Sequence, residues 1–329
     1  MEKSDLKQKY VNERIVESNG CNAYDGKVVW SPVKSLWITS MYFIAIVGGI
    51  LTFSISAFLI FLASTAVTLC LGHSLGMHRR LIHQSYQCPK WLEYCLVHFG
   101  VIVGLAGPKG MMHTHDMRDW AQRQNKCHDY FGHQQPFFID AIWQLHCDLE
   151  LKSPPKFIPE ESFTNDRVYQ WMEKTWMWQQ LPWALLFFYW GGIAWVVWGI
   201  CVRVAVSVTG HWLIGYFAHN EGDRDWHVEG ASVQGYNIRF AALITMGESW
   251  HNNHHAFPGS ALLGIEKNQV DPGWWVLRVL EKLGFVWNLK LPEDLPGRIE
   301  LKNINFLETK SHSNEKSAIA KIPGLPDEI

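Results

Sequence analysis

Two stretches that are almost free of charge limit what this 329-residue chain can fold into. Between Lys34 and Arg79 there is no Asp, Glu, Lys or Arg, and between Lys174 and Glu221 there is only Arg203. A bilayer crossing takes about 20 apolar residues as a helix. Leu36 to Leu71 is too long for one crossing and reads as two, turning at Gly48, Gly49 and Thr52 to Ser56. Leu181 to Ala218 repeats the design. Its turn is expected at Gly199 and Arg203, because an arginine at mid-bilayer costs roughly 2.5 to 3.5 kcal/mol on insertion scales. The expected fold is an all-α integral membrane protein with four transmembrane helices in two hairpins, near 36–50, 54–72, 181–200 and 203–219. A helical cap should carry the remaining chemistry.

Two hairpins put the N-terminal arm (1–35), the middle segment and the C-terminal third on one side. Lys and Arg concentrate there, the asymmetry of a cytoplasmic face. Trp37, Trp91, Trp183, Trp198 and Trp212 fall where an aromatic belt is expected. The membrane domain is placed at 36–295 and a C-terminal tail at 296–329. The mean hydropathy of -0.07 reflects a large polar part diluting the spans. A net charge of -2 gives no basic surface for nucleic acid. Seven scattered cysteines without a CxxC pair argue for a reducing compartment and against a disulfide framework, a structural zinc or an iron–sulfur cluster.

Fifteen of the sixteen histidines lie between His73 and His255. A lone histidine is commonly a hydrogen-bonded core or surface residue, and His98, His146, His227 and His312 are read that way. Grouped spacings mean more. His251, His254 and His255 form an HxxHH, and on a helix these positions share about a third of the circumference, so three imidazoles face one cavity. His78 and His83 form an HxxxxH, about 140° apart on a regular helix, a spacing that suits two adjacent metals better than one. His219 ends the last apolar run. So many imidazoles exceed the needs of one tetrahedral zinc, and two iron ions (Fe2+) suit a site beside unactivated C–H bonds.

Three segments then carry a family likeness: Gly76-Met77-His78 through His83-Gln84-Ser85-Tyr86; Pro89-Lys90-Trp91-Leu92-Glu93-Tyr94; and Gly247-Glu248-Ser249-Trp250-His251-Asn252-Asn253-His254-His255-Ala256-Phe257. They resemble the membrane-bound acyl-CoA and acyl-lipid desaturases of the Delta-9 type, and the likeness runs from about residue 36 to 295. It implies four transmembrane helices under a cytoplasmic cap, two irons held by histidine, and a tunnel that bends an acyl chain past them. The ligands it implies are His78, His83, His219, His251, His254 and His255, with His115 matching the first histidine of the family's second box.

The rest of that box departs from the pattern. His115-Asp116-Met117-Arg118-Asp119 puts a guanidinium and a carboxylate where two imidazoles are expected, and Gly215 stands where the family has a water-holding Asn. Asp119 can ligate iron, whereas Arg118 cannot. His113, His128 and His133 lie in the same cap segment and are candidates either for ligation or for hydrogen bonding to ligands. On a straight helix His211 is roughly 12 Å from His219 along the axis, and His73 about 7.5 Å from His78, so neither is expected to share an iron.

The resulting expectation is an oxidoreductase, an O2-dependent fatty-acyl desaturase that makes a cis double bond in a saturated acyl-CoA or acyl-lipid. A hydroxylase on the same scaffold and a non-catalytic lipid- or metal-binding protein are the alternatives. There is no Rossmann glycine fingerprint, haem-binding His-Pro-Gly-Gly or cysteine cluster. Electrons are therefore expected from an external carrier, cytochrome b5 or ferredoxin, and its reductase.

Overall fold

A computed structural model of the chain describes residues 8–304. Three helices among them are long and apolar enough to cross a membrane: α1 at Pro32–Leu51, α2 at Ile55–Ile82 and α3 at Gln180–Asn220, with 20, 28 and 41 residues. Pro32 opens α1, where its missing N–H has no partner to lose. The break at 52–54 falls where the glycines and hydroxyl residues indicated, and Ser54 Oγ restarts the chain by accepting from the Ala57 N–H at 3.1 Å. Most outward-facing positions on these helices are apolar: Ile50, Leu51 and Tyr189 are 77%, 78% and 80% exposed. Contiguous apolar surface of this kind suits hydrocarbon, not water.

The second hairpin turns elsewhere than expected. The backbone stays helical through Gly199 and Arg203 and breaks instead at Gly192, whose φ of 62° and ψ of -159° are open essentially only to glycine. The two arms of α3 fold back on each other there. Phe187 packs against Gly199, and Arg203 Nη2 donates to Gln180 Oε1 at 2.6 Å, although 23 residues of straight helix would separate that pair by about 35 Å. Arg203 is 1% exposed, not at an interface. Its Nε and Nη1 donate to Gly199 O at 2.7 Å and Ile102 O at 2.5 Å, so every edge of the guanidinium is satisfied inside the protein. The two turns sit together at one end, where Trp195 Nε1 donates to Ser56 Oγ and Phe53 packs on Trp198.

At the other end lies the cap. Helix α4 (Lys90–Val101) crosses α2 so closely that a Cβ on Gly72 or Gly76 would lie 2.2 Å or 2.4 Å from the backbone of Phe99 or Leu96. Helix α5 (Pro108–Gln122) carries His115, and the short α6 (His251–Ala256) carries the HxxHH. The cap is not wholly helical: antiparallel ladders join Ile15–Val16 to Lys156–Phe157, Gly26–Trp30 to Cys147–Leu151 and Trp226–Val228 to Leu301–Asn303. Through them the N-terminal arm, and the tail as far as 304, pack into the cap instead of hanging loose. The stretch from Ser311 onward, with His312, lies outside the described residues. A buried Arg79–Asp271 pair at 2.7 Å ties α2 to the C-terminal segment, and all seven cysteines are unpaired.

Candidate metal centre

The last fifteen residues of α2, Thr68–Ile82, are wound more widely than an α-helix, with bonds from residue i to i+5. His83 N donates to His78 O at 3.0 Å in the same pattern. Residues five apart are then neighbours across one turn, so the HxxxxH does not splay as it would on a regular helix. His78 and His83 meet edge to face at 4.8 Å and belong to one cluster, contrary to the expectation that they suit two metals better than one.

That cluster is His78, His83, His115 and His254, with one ring nitrogen from each within 4.8 Å of all the others. His219, His251 and His255 form a second cluster by the same measure. Helix α6 splits its three imidazoles between the two: His254 faces the first group, His251 and His255 the second. The rings of His251 and His254 are 5.7 Å apart, so the clusters adjoin. All seven histidines singled out from the sequence are thereby brought together, at the cap end of the apolar helices.

The other candidates lie outside both clusters. His133 has each nitrogen engaged, Nδ1 with Asp140 Oδ2 at 2.9 Å and Nε2 with Arg118 Nη1 at 2.6 Å, and its ring stacks on His219 at 5.4 Å. Burial and then the Arg118 charge push its pKa down to about 4, so the neutral ring accepts from Arg118 and donates to Asp140. His128 accepts from the Tyr130 N–H at the start of a short helix, and the exposed His113 packs on Phe157. Asp119 accepts from Arg123 Nε at 2.9 Å. His73 and His211 pair edge to face at 5.0 Å, apart from the clusters. His98 accepts from Trp183 Nε1, and His146 meets Ser35 Oγ.

Several residues around the clusters were not singled out by spacing. Glu248 Oε2 lies 2.6 Å from His78 Nδ1, and Ser74 Oγ donates to its Oε1. Asp116 Oδ1 is 3.2 Å from His115 Nδ1, while its Oδ2 accepts from Arg14 Nε at 2.6 Å. His219 Nδ1 donates to Gly215 O at 2.6 Å. For His115 and His219 these partners occupy Nδ1 and leave Nε2 for the cluster. An acidic residue beside a predicted ligand is the one signal that would have found Asp116; Glu248 and Arg14 reach the site only through the fold.

The donor set fits transition-metal ions. Burial, followed by the neighbouring imidazoles, holds His83, His254 and His255 well below the ordinary histidine range, and burial takes His251 down to about 3. Neutral imidazole is the ligating form. His254 Nδ1 is buried without a hydrogen-bond partner, and His83 Nε2 and His115 Nε2 lie 3.2 Å apart. Cations among the rings would use these lone pairs.

No family profile matches the chain. Curated relatives do. The acyl-CoA 5-desaturase of Anemone leveillei is 32% identical over 83% of this chain and 85% of its own length. The sn-1 stearoyl-lipid 9-desaturase of Anabaena variabilis is 32% identical over 78% of this chain and 94% of its own. The chain belongs to the fatty acyl desaturases. Delta-9 acyl-lipid desaturase 1 of Arabidopsis thaliana, 30% identical over 68% of this chain, agrees. This desaturase is thus an oxidoreductase of fatty-acid metabolism, and its histidine clusters are consistent with the metal binding of the family.

Proposed function

We propose that the protein is an O2-dependent acyl desaturase that converts one –CH2–CH2– unit of a saturated acyl chain to a cis –CH=CH– unit at a di-iron centre. The balance is one O2, two electrons and two protons consumed with the two hydrogens removed, giving two waters. The observation that carries this reading is the gathering of seven imidazoles, four and three, at the end of long apolar helices.

The first iron would be held by His78, His83, His115 and His254, and the second by His219, His251 and His255. Bound there, the irons supply the oxygen activation that no side chain provides. The protein's own part is to hold and orient. Asp116 and the Gly215 carbonyl fix ring tautomers, the Glu248 carboxylate lies against His78, and burial of His78, His219, His254 and His255 keeps bulk water from the reacting methylene. Asp119, His113, His128, His133, His73 and His211 are assigned no iron.

The hairpin geometry supports four membrane passes, two from α1 and α2 and two from the arms of α3, with the cap on the cytoplasmic side where Lys and Arg concentrate. Membrane lipids then surround the apolar faces, and the substrate is an acyl-CoA or acyl-lipid, the two classes named among the relatives. Electrons come from an external carrier such as cytochrome b5 or ferredoxin with its reductase.

Expression in a host of defined lipid composition, followed by mass spectrometry of total fatty acids, tests this. A new double bond, absent without O2 and absent in His254→Ala, is expected. Arg118 and Asp119 in the second box favour one other reading, hydroxylation, because they alter the surroundings of the second metal. A hydroxylated product in place of the alkene would select it. No new product with any chain length would overturn both.

A further inference from the structure

The second cluster has one imidazole fewer than the first, and a fourth polar group reaches the same point. The Nε2 atoms of His219, His251 and His255 follow one another at 3.1 and 3.0 Å. Gln122 Nε2 lies 2.9 Å from His219 Nε2. This side chain, at the end of α5, is 2% exposed. Its nitrogen also donates to Phe131 O at 2.7 Å, which fixes which end of the amide faces inward. One N–H is anchored on that carbonyl; the other points to the place where the three imidazoles converge. Because His219 Nδ1 donates to Gly215 O, His219 Nε2 carries a lone pair and is the acceptor.

An N–H cannot ligate a cation. It can donate to a water in the coordination position that three imidazoles leave open. The Asn that the family pattern puts at position 215 for this purpose has no room here. A Cβ on Gly215 would lie 3.0 Å from His133 Nε2 and 3.3 Å from His133 Cε1, with Arg118 Nη1 at 3.8 Å. His133 fills that space, locked between Arg118 and Asp140, with Asp140 also accepting from Trp212 Nε1 at 2.8 Å and Arg118 also donating to Gln144 Oε1 at 2.7 Å. The ring of His133 lies nearly parallel to that of His219, at 12°. Arg118, His133 and Gly215 therefore depart from the family pattern as one packed unit, and the amide approaches from the opposite element.

We propose that Gln122 is a positioning residue of the three-histidine site, donating its side-chain N–H to a water in the open coordination position, and that Gly215 is glycine to seat the His133–Arg118 pair behind His219. The proposal rests on the di-iron reading above. Its test is Mössbauer spectroscopy of protein reconstituted with enriched iron, together with iron retention during a chelator challenge.

The unaltered protein should give two distinguishable iron signals. Isosteric Gln122→Glu should change one signal and leave the other as it was. Gln122→Leu should lower retention of one iron by about tenfold, the scale of lost outer-sphere partners, with the other unaffected. Two unaltered signals in Gln122→Glu would overturn the assignment even if the leucine variant failed to fold. An unaltered protein holding two irons but indifferent to both substitutions would overturn this inference alone. Fewer than two irons in the unaltered protein would overturn the di-iron reading and this one with it.

Discussion

Glu248 lies against His78, and the consequence is electrostatic: a carboxylate 2.6 Å from Nδ1 makes the ring a stronger ligand for a cation. Glu248→Gln should lower product formation and iron retention together, by about 10–100-fold, measured by fatty-acid analysis and metal content. A second carboxylate sets acid stability. Burial works to raise the pKa of Glu93, but hydrogen bonds from Lys90 and Tyr169 and the Arg80 charge outweigh it and hold it below the usual range. A folded pKa below the unfolded value of about 4.3 gives stabilisation that is present above that pH and lost as pH falls through the folded value. Glu93→Gln should be less stable than the unaltered protein at pH 7, with the difference shrinking below about pH 4, as followed by thermal unfolding. At this scale much of the site was legible. Imidazoles at repeated spacings mark themselves, and all seven gather. Gln122 and Arg14 carry no such mark, because an isolated amide or guanidinium acquires meaning only from what the fold puts beside it.

At the scale of the element, spacing was legible and helix type was not. Five residues separate His78 and His83 in any conformation, but only the i to i+5 winding of α2 brings them edge to face, and no residue pattern announced it. The second hairpin was misplaced for a related reason. Arg203 looks like a turn residue as long as burial seems unaffordable to it, and three hydrogen-bond acceptors from Gly199, Ile102 and Gln180 remove the objection. The real turn depends on Gly192. A Cβ there meets nothing within 4 Å, so the cost of Gly192→Ala is that of the backbone conformation alone, about 1–3 kcal/mol. Thermal unfolding should show that loss, while the folded fraction keeps its activity per iron. Gly76→Leu should be far worse, because its side chain would have to occupy the backbone of Leu96; no folded protein is expected in size-exclusion chromatography.

The whole molecule is a division of labour between an apolar hairpin pair and a polar cap that meets it at the histidines. A mostly helical fold with membrane-length apolar helices followed from two uncharged runs, whereas the ladders that hold 15–30 and 301–303 against the rest of the chain did not, since strands of two to five residues leave little periodicity to read. In the proposed topology the turn at 52–54 and the exposed Lys152 lie on opposite sides of the membrane. A glycosylation acceptor inserted at the turn should be modified in microsomes, and one at Lys152 should not. Most directly, the central claim is that the two clusters hold two irons. Anomalous diffraction at the iron edge, from crystals of the purified protein, should show one peak among His78, His83, His115 and His254 and a second among His219, His251 and His255. A single peak, or none in protein that makes product, would contradict it.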